Sequence, residues 1–284
     1  ETYTHQVFDH QAMLRPVVKG SFRLAPGAVG AGMAKAIALA VSGQPGPVHV
    51  DVPISVAEAA EAEAPLAQPW TSAPGLPPQA ELTKALAALR GARRPLAIAG
   101  VDAVNEAAGP TIAKFCRAHR IPLITTYKGK GLMPESDPLC LGGAGLSPRA
   151  DGILMPLIAG ADTILLLGYD PIEMRIGWRN PFGPGQSVIE IAPCRRDHGM
   201  HRADIPMIGG LAPTLQALGH DAPPRWEGGE PARARAALKA AFGPPDTWGP
   251  HAVFSTLRGV MPPDTVITAD SGAQPHLVGT AAAA

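Results

Sequence analysis

Pro95-Leu96-Ala97-Ile98-Ala99-Gly100 is a short apolar run closed by a glycine, and Thr163-Ile164-Leu165-Leu166-Leu167-Gly168 repeats the same form further along the chain. Pro122-Leu123-Ile124-Thr125-Thr126 lies between them. None of these runs alternates polar and apolar residues, which suits strands buried on both faces. Helical stripes separate them. Leu82, Leu86 and Leu89 follow Gln79, a helix from about Asn105 to His119 carries Ile112, Phe115 and Cys116, and Ala150 to Ala159 reads as a further helix. Ser187 to Ala192 and Ile205 to Ile208 add two strand candidates. Strands alternating with helices at this spacing predict an α/β fold, a parallel sheet in a three-layer domain over residues 79–222.

Upstream, Val29, Met33, Ala36, Ile37, Ala40 and Val41 recur at helical spacing between Pro26 and Ser42, and Gly43 follows as a stop signal. Pro47-Val48-His49-Val50-Asp51-Val52-Pro53 then reads as a strand fenced by prolines. From about Ala57 to Pro78 the sequence turns to Ala, Glu and Pro, as a semi-rigid linker would. Downstream, Pro223 to Pro231 and a mixed Ala/Arg helix lead to Pro244-Pro245, and a last unit opens at Trp248 with Val253, Leu257 and a strand over Thr265 to Ala269. The expected organisation is a first domain over 1–62, a linker over 63–78, a central domain over 79–222, a second linker over 223–245 and the start of a third domain over 246–284.

The 284 residues are 46% hydrophobic and 17% charged, with 24 Lys and Arg against 24 Asp and Glu. A neutral chain has no summed field to hold it on nucleic acid or an anionic membrane. Its longest apolar runs fall well short of the roughly 20 residues of a membrane span. Cys116, Cys140 and Cys194 are odd in number and widely spaced, which argues against a disulfide framework and favours a reducing cytoplasm. No signal-peptide pattern opens the chain. The 32 glycines and 32 prolines are spread among hydrophobic segments, as many short connections require.

Gly27-Ala28-Val29-Gly30-Ala31-Gly32 does not follow a strand and has the wrong spacing for a dinucleotide fingerprint, so close helix packing is the preferred reading. Cys194, His198 and His201 read as a loop with surface histidines in preference to a metal site. Tyr127-Lys128-Gly129-Lys130-Gly131-Leu132 follows one strand, and Gly168-Tyr169-Asp170-Pro171-Ile172-Glu173-Met174-Arg175 follows another. Open α/β sheets take ligands at that edge. These loops could meet a nucleotide or be solvated turns. Asp270-Ser271-Gly272-Ala273-Gln274 opens a helix after the last strand and could approach a diphosphate.

Taken in order, these segments resemble the acetolactate synthase-like family of thiamine diphosphate (ThDP) enzymes. Phe8 through Lys19, with Arg15-Pro16-Val17, resembles the family's Phe-x-x…Arg-Pro-x-x-Lys segment, and Ser42-Gly43-Gln44-Pro45-Gly46-Pro47-Val48 through Asp51-Val52-Pro53 resembles the close of its first domain. Arg94-Pro95 to Gly100, Ile121-Pro122 to Gly131 and the strand before Gly168 resemble its middle domain. The resemblance implies a complete Rossmann-like (DHS-like) central domain flanked by parts of the pyrimidine-binding and diphosphate-binding domains. It implies ThDP and Mg²⁺ as cofactors, 2-oxo acids as substrates, and a homodimer or homotetramer.

Residue by residue, the resemblance sets Asp270, Ser271, Gly272, Ala273 and Gln274 beside the ThDP diphosphate and Phe8, Asp9, His10, Arg15 and Lys19 at the substrate entrance. It offers Gly100, Thr126, Lys128, Gly129, Gly168 and Arg175 to FAD or ADP. The family's activating glutamate and Mg²⁺ segment would fall before and after these residues. The chain is thus expected to be a fragment, inactive alone and holding no metal site of its own. Two departures bear on the ligands. Phe8-Asp9-His10 stands for the family's Phe-Gln-Glu. Gly143-Ala144-Gly145-Leu146-Ser147 and Glu190-Ile191-Ala192-Pro193 stand where FAD-binding relatives carry Gly-Met-His-Gly and Asp-x-Asp-Pro. FAD, an ADP-like ligand and an empty central domain all stay open. Relatives acting on benzoylformate, oxalyl-CoA or sulfoacetaldehyde share the architecture. A stand-alone FAD- or ADP-binding module and an inactive regulatory subunit are the competing readings.

Overall fold

The computed structural model describes residues 8–60, 75–196, 198–219, 226–243, 248–262 and 265. The chain divides into two compact units, Glu1–Ala73 and Pro74–Ala284.

In the first unit, β1 (Ser21–Arg23) and β2 (His49–Asp51) form a parallel pair in the register Ser21 to His49, Phe22 to Val50 and Arg23 to Asp51. The helix expected between Pro26 and Ser42 is α2 (Val29–Val41). Its apolar stripe is buried only in part. Ala36 is inside, whereas Ile37 and Val41 stay 49% and 50% exposed. A two-stranded sheet offers too little surface to cover the whole stripe. A Cβ on Gly32 would come within 2.6 Å of Leu24 Cδ2, so this glycine permits close packing of the helix. Two short helices, α1 (His10–Leu14) and α3 (Ile54–Ala57), complete the described part. The strand β1 was not among the sequence expectations.

In the second unit, a six-stranded parallel sheet runs in the order β5-β4-β3-β6-β7-β8. Its strands are β3 (Pro95–Ala99), β4 (Leu123–Thr126), β5 (Cys140–Ala144), β6 (Thr163–Leu167), β7 (Ser187–Ala192) and β8 (Ile205–Ile208). Every residue of β3, β4 and β6 is buried, as unalternating apolar runs require. Successive side chains feed two separate cores. Ala97, Ala99, Leu165, Leu167, Ile189 and Ile191 meet α4 (Gln79–Gly91), α6 (Gly109–His119) and α8 (Leu211–Ala217). Leu96, Ile98, Ile164, Leu166 and Val188 meet α7 (Pro148–Gly160) and α9 (Glu230–Phe242).

Three expectations need correction here. The helix expected from Asn105 to His119 is broken: α5 (Val101–Asn105) ends before Ala107, which takes φ +50°, and α6 restarts at Gly109-Pro110. Cys140–Ala144 is a strand that the sequence did not announce. The stretch assigned to a linker over 223–245 contains α9, which buries Ala234, Leu238 and Phe242 in the domain core. Trp226 anchors its approach, donating Nε1–H to Pro95 O at 2.7 Å. The last helix is α10 (Pro250–Val260); of the strand expected over Thr265 to Ala269, only Thr265 is described, outside any strand, and residues 266–269 lie outside the described residues.

Candidate functional site

The sheet order places a topological switch point between β3 and β6, since the chain moves outward from β3 to β4 and β5 and then returns to the other side of β3. The loops that open at Gly100 and Gly168 meet there. A Cβ on Gly100 would lie 2.5 Å from Gly168 O and 2.8 Å from Tyr169 Cα. Gly168, at φ +58°, leaves room for Ala103 N and Asp102 Cβ at 2.7 and 2.8 Å from its own missing Cβ. Only glycine tolerates both the positive φ and the approach. Hydrogen bonds stitch the loops together: Gly100 N–H donates to Leu167 O, Asp102 N–H to Gly168 O, and Gly168 N–H to Ile191 O.

A buried charge cluster sits on these loops. The Arg196 guanidinium pairs through Nη2 with Asp102 Oδ2 and through Nη1 with Asp170 Oδ2, the latter at 2.5 Å. The side chains are 3%, 1% and 6% exposed, so the triad is closed to solvent. His198 Nε2 lies 3.6 Å from Asp170 Oδ1, and His201 Nε2 lies 2.9 Å from Glu190 Oε1. Burial raises the Asp102 pKa above the ordinary carboxylate value, Arg196 opposes that rise, and Asp170 adds to it. Burial also works against the Arg196 charge, but Asp102 and Asp170 outweigh it and hold the guanidinium pKa above its usual value. Among the described residues, Asp102 Oδ1, Arg196 Nε and His201 Nδ1 are buried without a hydrogen-bond partner. Beside them, Glu106 Oε2 accepts from Leu211 N–H at 2.7 Å, and burial raises the Glu106 pKa.

The sequence-chosen loop residues come together only in part. Gly100, Gly129 and Gly168 lie at the carboxyl edge, where a Cβ on Gly129 would stand 2.7 Å from Ala99 O. Thr126 is buried, and its Oγ1 accepts from Gly129 N–H at 3.1 Å. Lys128 is exposed, with Nζ 5.8 Å from the Tyr127 ring centroid. Arg175 is tied to β5 instead, its N–H donating to Gly145 O at 3.0 Å. Its side chain borders a groove of about 340 Å³ with Met155 and Trp178. Asp102 and Arg196 were not foreseen. They stand 94 residues apart, and no local spacing links them.

In the first unit, Asp9 Oδ1 caps α1 by accepting from Ala12 N–H, and Phe8 packs edge-on to His10 with ring centroids 4.2 Å apart. His10 Nδ1 and His49 Nε2 approach Asp51 Oδ1 at 3.3 and 3.4 Å, and Ser21 Oγ lies 2.7 Å from His49 Nδ1. The strand register and the two-residue period put Ser21, His49 and Asp51 on one face, so this polar chain holds α1 to the strands. Lys19 Nζ donates to the carbonyls of Ser42 and Gln44 at 2.6 and 3.0 Å, clamping the turn before Pro47. Arg15 is exposed beside it in sequence. Asp270, Ser271, Gly272, Ala273 and Gln274 lie outside the described residues. Among the described residues, no group of His, Cys, Asp or Glu is arranged to hold a metal ion, and no helix is long and apolar enough to cross a membrane.

The strand order and the two glycine turns define a Rossmann-like domain. Residues 82–218 match the family model described as the thiamine pyrophosphate enzyme central domain, thiamine pyrophosphate being another name for ThDP. This stretch is similar to the central domain of ThDP enzymes. The chain is 29% identical over 221 residues to a probable 2-ketoarginine decarboxylase of Pseudomonas aeruginosa, covering 73% of this chain and 38% of that protein. It is 26% identical over 280 residues to an acetolactate synthase large subunit of Parasynechococcus marenigrum, covering 90% of this chain and 44% of that protein. It is 27% identical over 227 residues to an oxalyl-CoA decarboxylase of Escherichia coli, covering 75% of this chain and 38% of that protein. The chain spans less than half the length of these curated relatives.

Proposed function

We propose that the chain is a portion of a ThDP- and Mg²⁺-dependent 2-oxo acid decarboxylase or carboligase, built like an acetolactate synthase large subunit. The observation that carries this reading is the extent of the similarity. A match over 90% of the chain includes residues of both compact units, so the likeness is not confined to a widely shared nucleotide fold. Two relatives are named for decarboxylating substrates in which the carboxylate adjoins a carbonyl, 2-ketoarginine and oxalyl-CoA. Loss of CO₂ there leaves an electron pair with no place to go, and ThDP, when bound, supplies the electron sink.

The chain's own residues prepare the frame for that chemistry. In the first unit, Asp9 and Lys19 fix the α1 entry and the turn before β2, His10 is engaged with Asp51, and the substrate entrance is assigned to Phe8, Asp9, His10, Arg15 and Lys19. The Asp270–Gln274 segment, which lies outside the described residues, is assigned to the ThDP diphosphate. A cytoplasmic homodimer or homotetramer completes the proposal. The deciding experiment uses the full reading frame that contains this chain, with CO₂ release measured from pyruvate, 2-ketoarginine and oxalyl-CoA with and without ThDP and Mg²⁺. ThDP-dependent release from at least one substrate is expected, with none from residues 1–284 alone. Absence of turnover on every substrate together with absence of ThDP binding by calorimetry overturns the assignment, and turnover by residues 1–284 alone overturns the fragment reading.

A further inference from the structure

We infer that the central domain takes no dinucleotide at its switch point, because the position is filled from within by the Arg196 guanidinium held between Asp102 and Asp170. A dinucleotide needs three things at such a crevice: free backbone N–H groups after the first strand for the pyrophosphate, a compatible charge, and a carboxylate at the end of the next strand for the ribose.

The residues present weigh against each of them. After β3, Gly100 N–H is taken by Leu167 O, Asp102 N–H by Gly168 O and Ala103 N–H by Gly100 O. The helix that follows, α5, is five residues long and carries Asp102 in its first turn. A phosphate at this point would face two buried carboxylates, while the cation between them is already bonded to both. At the end of β4 stands Thr126, whose hydroxyl accepts from Gly129 N–H. The nearest acidic side chain on β7, Glu190, is engaged by His201 at 2.9 Å. The Gly100 and Gly168 backbones also approach closely at this point, leaving no room there for even a methyl group.

The same geometry has a positive reading. Asp102 and Asp170 form a guanidinium site whose resident is the protein's own side chain, so the triad ties the loops after β3, β6 and β7 together. Truncating Arg196 should leave a guanidinium-sized space between two carboxylates.

The test uses the 284-residue chain. In calorimetric titration with FAD and with ADP at up to about 1 mM, no binding is expected. Binding of either with a Kd below about 100 μM overturns the inference. Arg196→Ala should melt at a lower temperature than the parent chain. Ethylguanidinium at about 10 mM should restore part of that loss, whereas NaCl at equal ionic strength should not. An unchanged melting temperature, or equal recovery in NaCl, overturns the internal-guanidinium reading. Should Arg196→Ala fail to fold, Arg196→Lys keeps the charge but not the two-armed pairing. It is expected to melt below the parent, and parent-like melting counts against the role of the fork.

Discussion

Replacing Gly100 with alanine adds one methyl group at the place where the two switch-point loops touch. The Gly100 backbone, at φ −121° and ψ −163°, suits any residue, so the substitution carries no conformational strain of its own. Its cost is steric. The new Cβ would stand 2.5 Å from Gly168 O and 2.8 Å from Tyr169 Cα, both atoms of backbone and not of a yielding side-chain tip. Relief requires one loop to lift, which strains the Gly100 N–H to Leu167 O and Asp102 N–H to Gly168 O bonds together. Overpacking in cores costs about 1–3 kcal/mol, and a backbone obstacle puts this site at the upper end, about 3 kcal/mol. For a domain of this size, that corresponds to a fall of roughly 6–12 °C in Tm.

Gly152→Ala supplies the contrast. Gly152 lies within α7 with nothing within 4 Å of its missing Cβ, so the same methyl should stabilise by up to about 1 kcal/mol. Urea unfolding followed by tryptophan fluorescence reads both, because Trp178 and Trp226 are buried in this domain. The midpoint should move down for Gly100→Ala and up for Gly152→Ala, with slopes unchanged. A Gly100→Ala midpoint equal to that of the parent would refute the account of a closed switch point.

Two further outcomes rest on buried titratable groups. Glu106 has a raised pKa, so the stability tied to its proton is present at low pH and lost as pH rises through the folded value. Glu106→Gln keeps an oxygen for Leu211 N–H and removes the buried charge. The variant should therefore gain on the parent in urea midpoint at pH 8 but not at pH 4, and a gain of equal size at both pH values would count against this linkage. Burial pushes the Cys116 thiol from 9.0 up to about 12, so its contribution is full below the unfolded pKa and declines between those values as pH rises. With a thiol reagent at pH 8, Cys194 should react fast, and Cys116 and Cys140 only at the rate of unfolding. Rapid labelling of Cys116 or Cys140 would contradict their burial.

The parts of this fold that can be read from sequence are those whose stability is local or whose burial is total. Strands β3 and β6 announce themselves because both faces are covered and every position is apolar. β5 does not, since Gly142 and Gly143 dilute its apolar signal, and β1 is too short to show a period. Helix α9 is legible as a mixed Ala/Arg helix but falls within the expected linker, because its buried positions include Ala234, which looks neutral until Leu238 and Phe242 are seen to share its face. The division between α5 and α6 turns on the positive φ of Ala107, for which alanine gives no warning. At the candidate site, Gly100 and Gly168 are legible as strand ends. Arg196 is not, because its partners Asp102 and Asp170 come from other loops and are assembled only by the order of the strands.

Helix α9 also separates the boundary of the central-domain family model from the boundary that packing draws. The family match closes at residue 218, but Trp226 reaches back to Pro95 O, Arg235 donates to Glu135 O, and Arg149 lies over the Phe242 ring. A module exchanged between relatives at residue 218 would leave the α7 face of the sheet without its cover. A graft that carries residues through 243 keeps both cores whole, so the transferable unit is about one helix longer than the family model marks it.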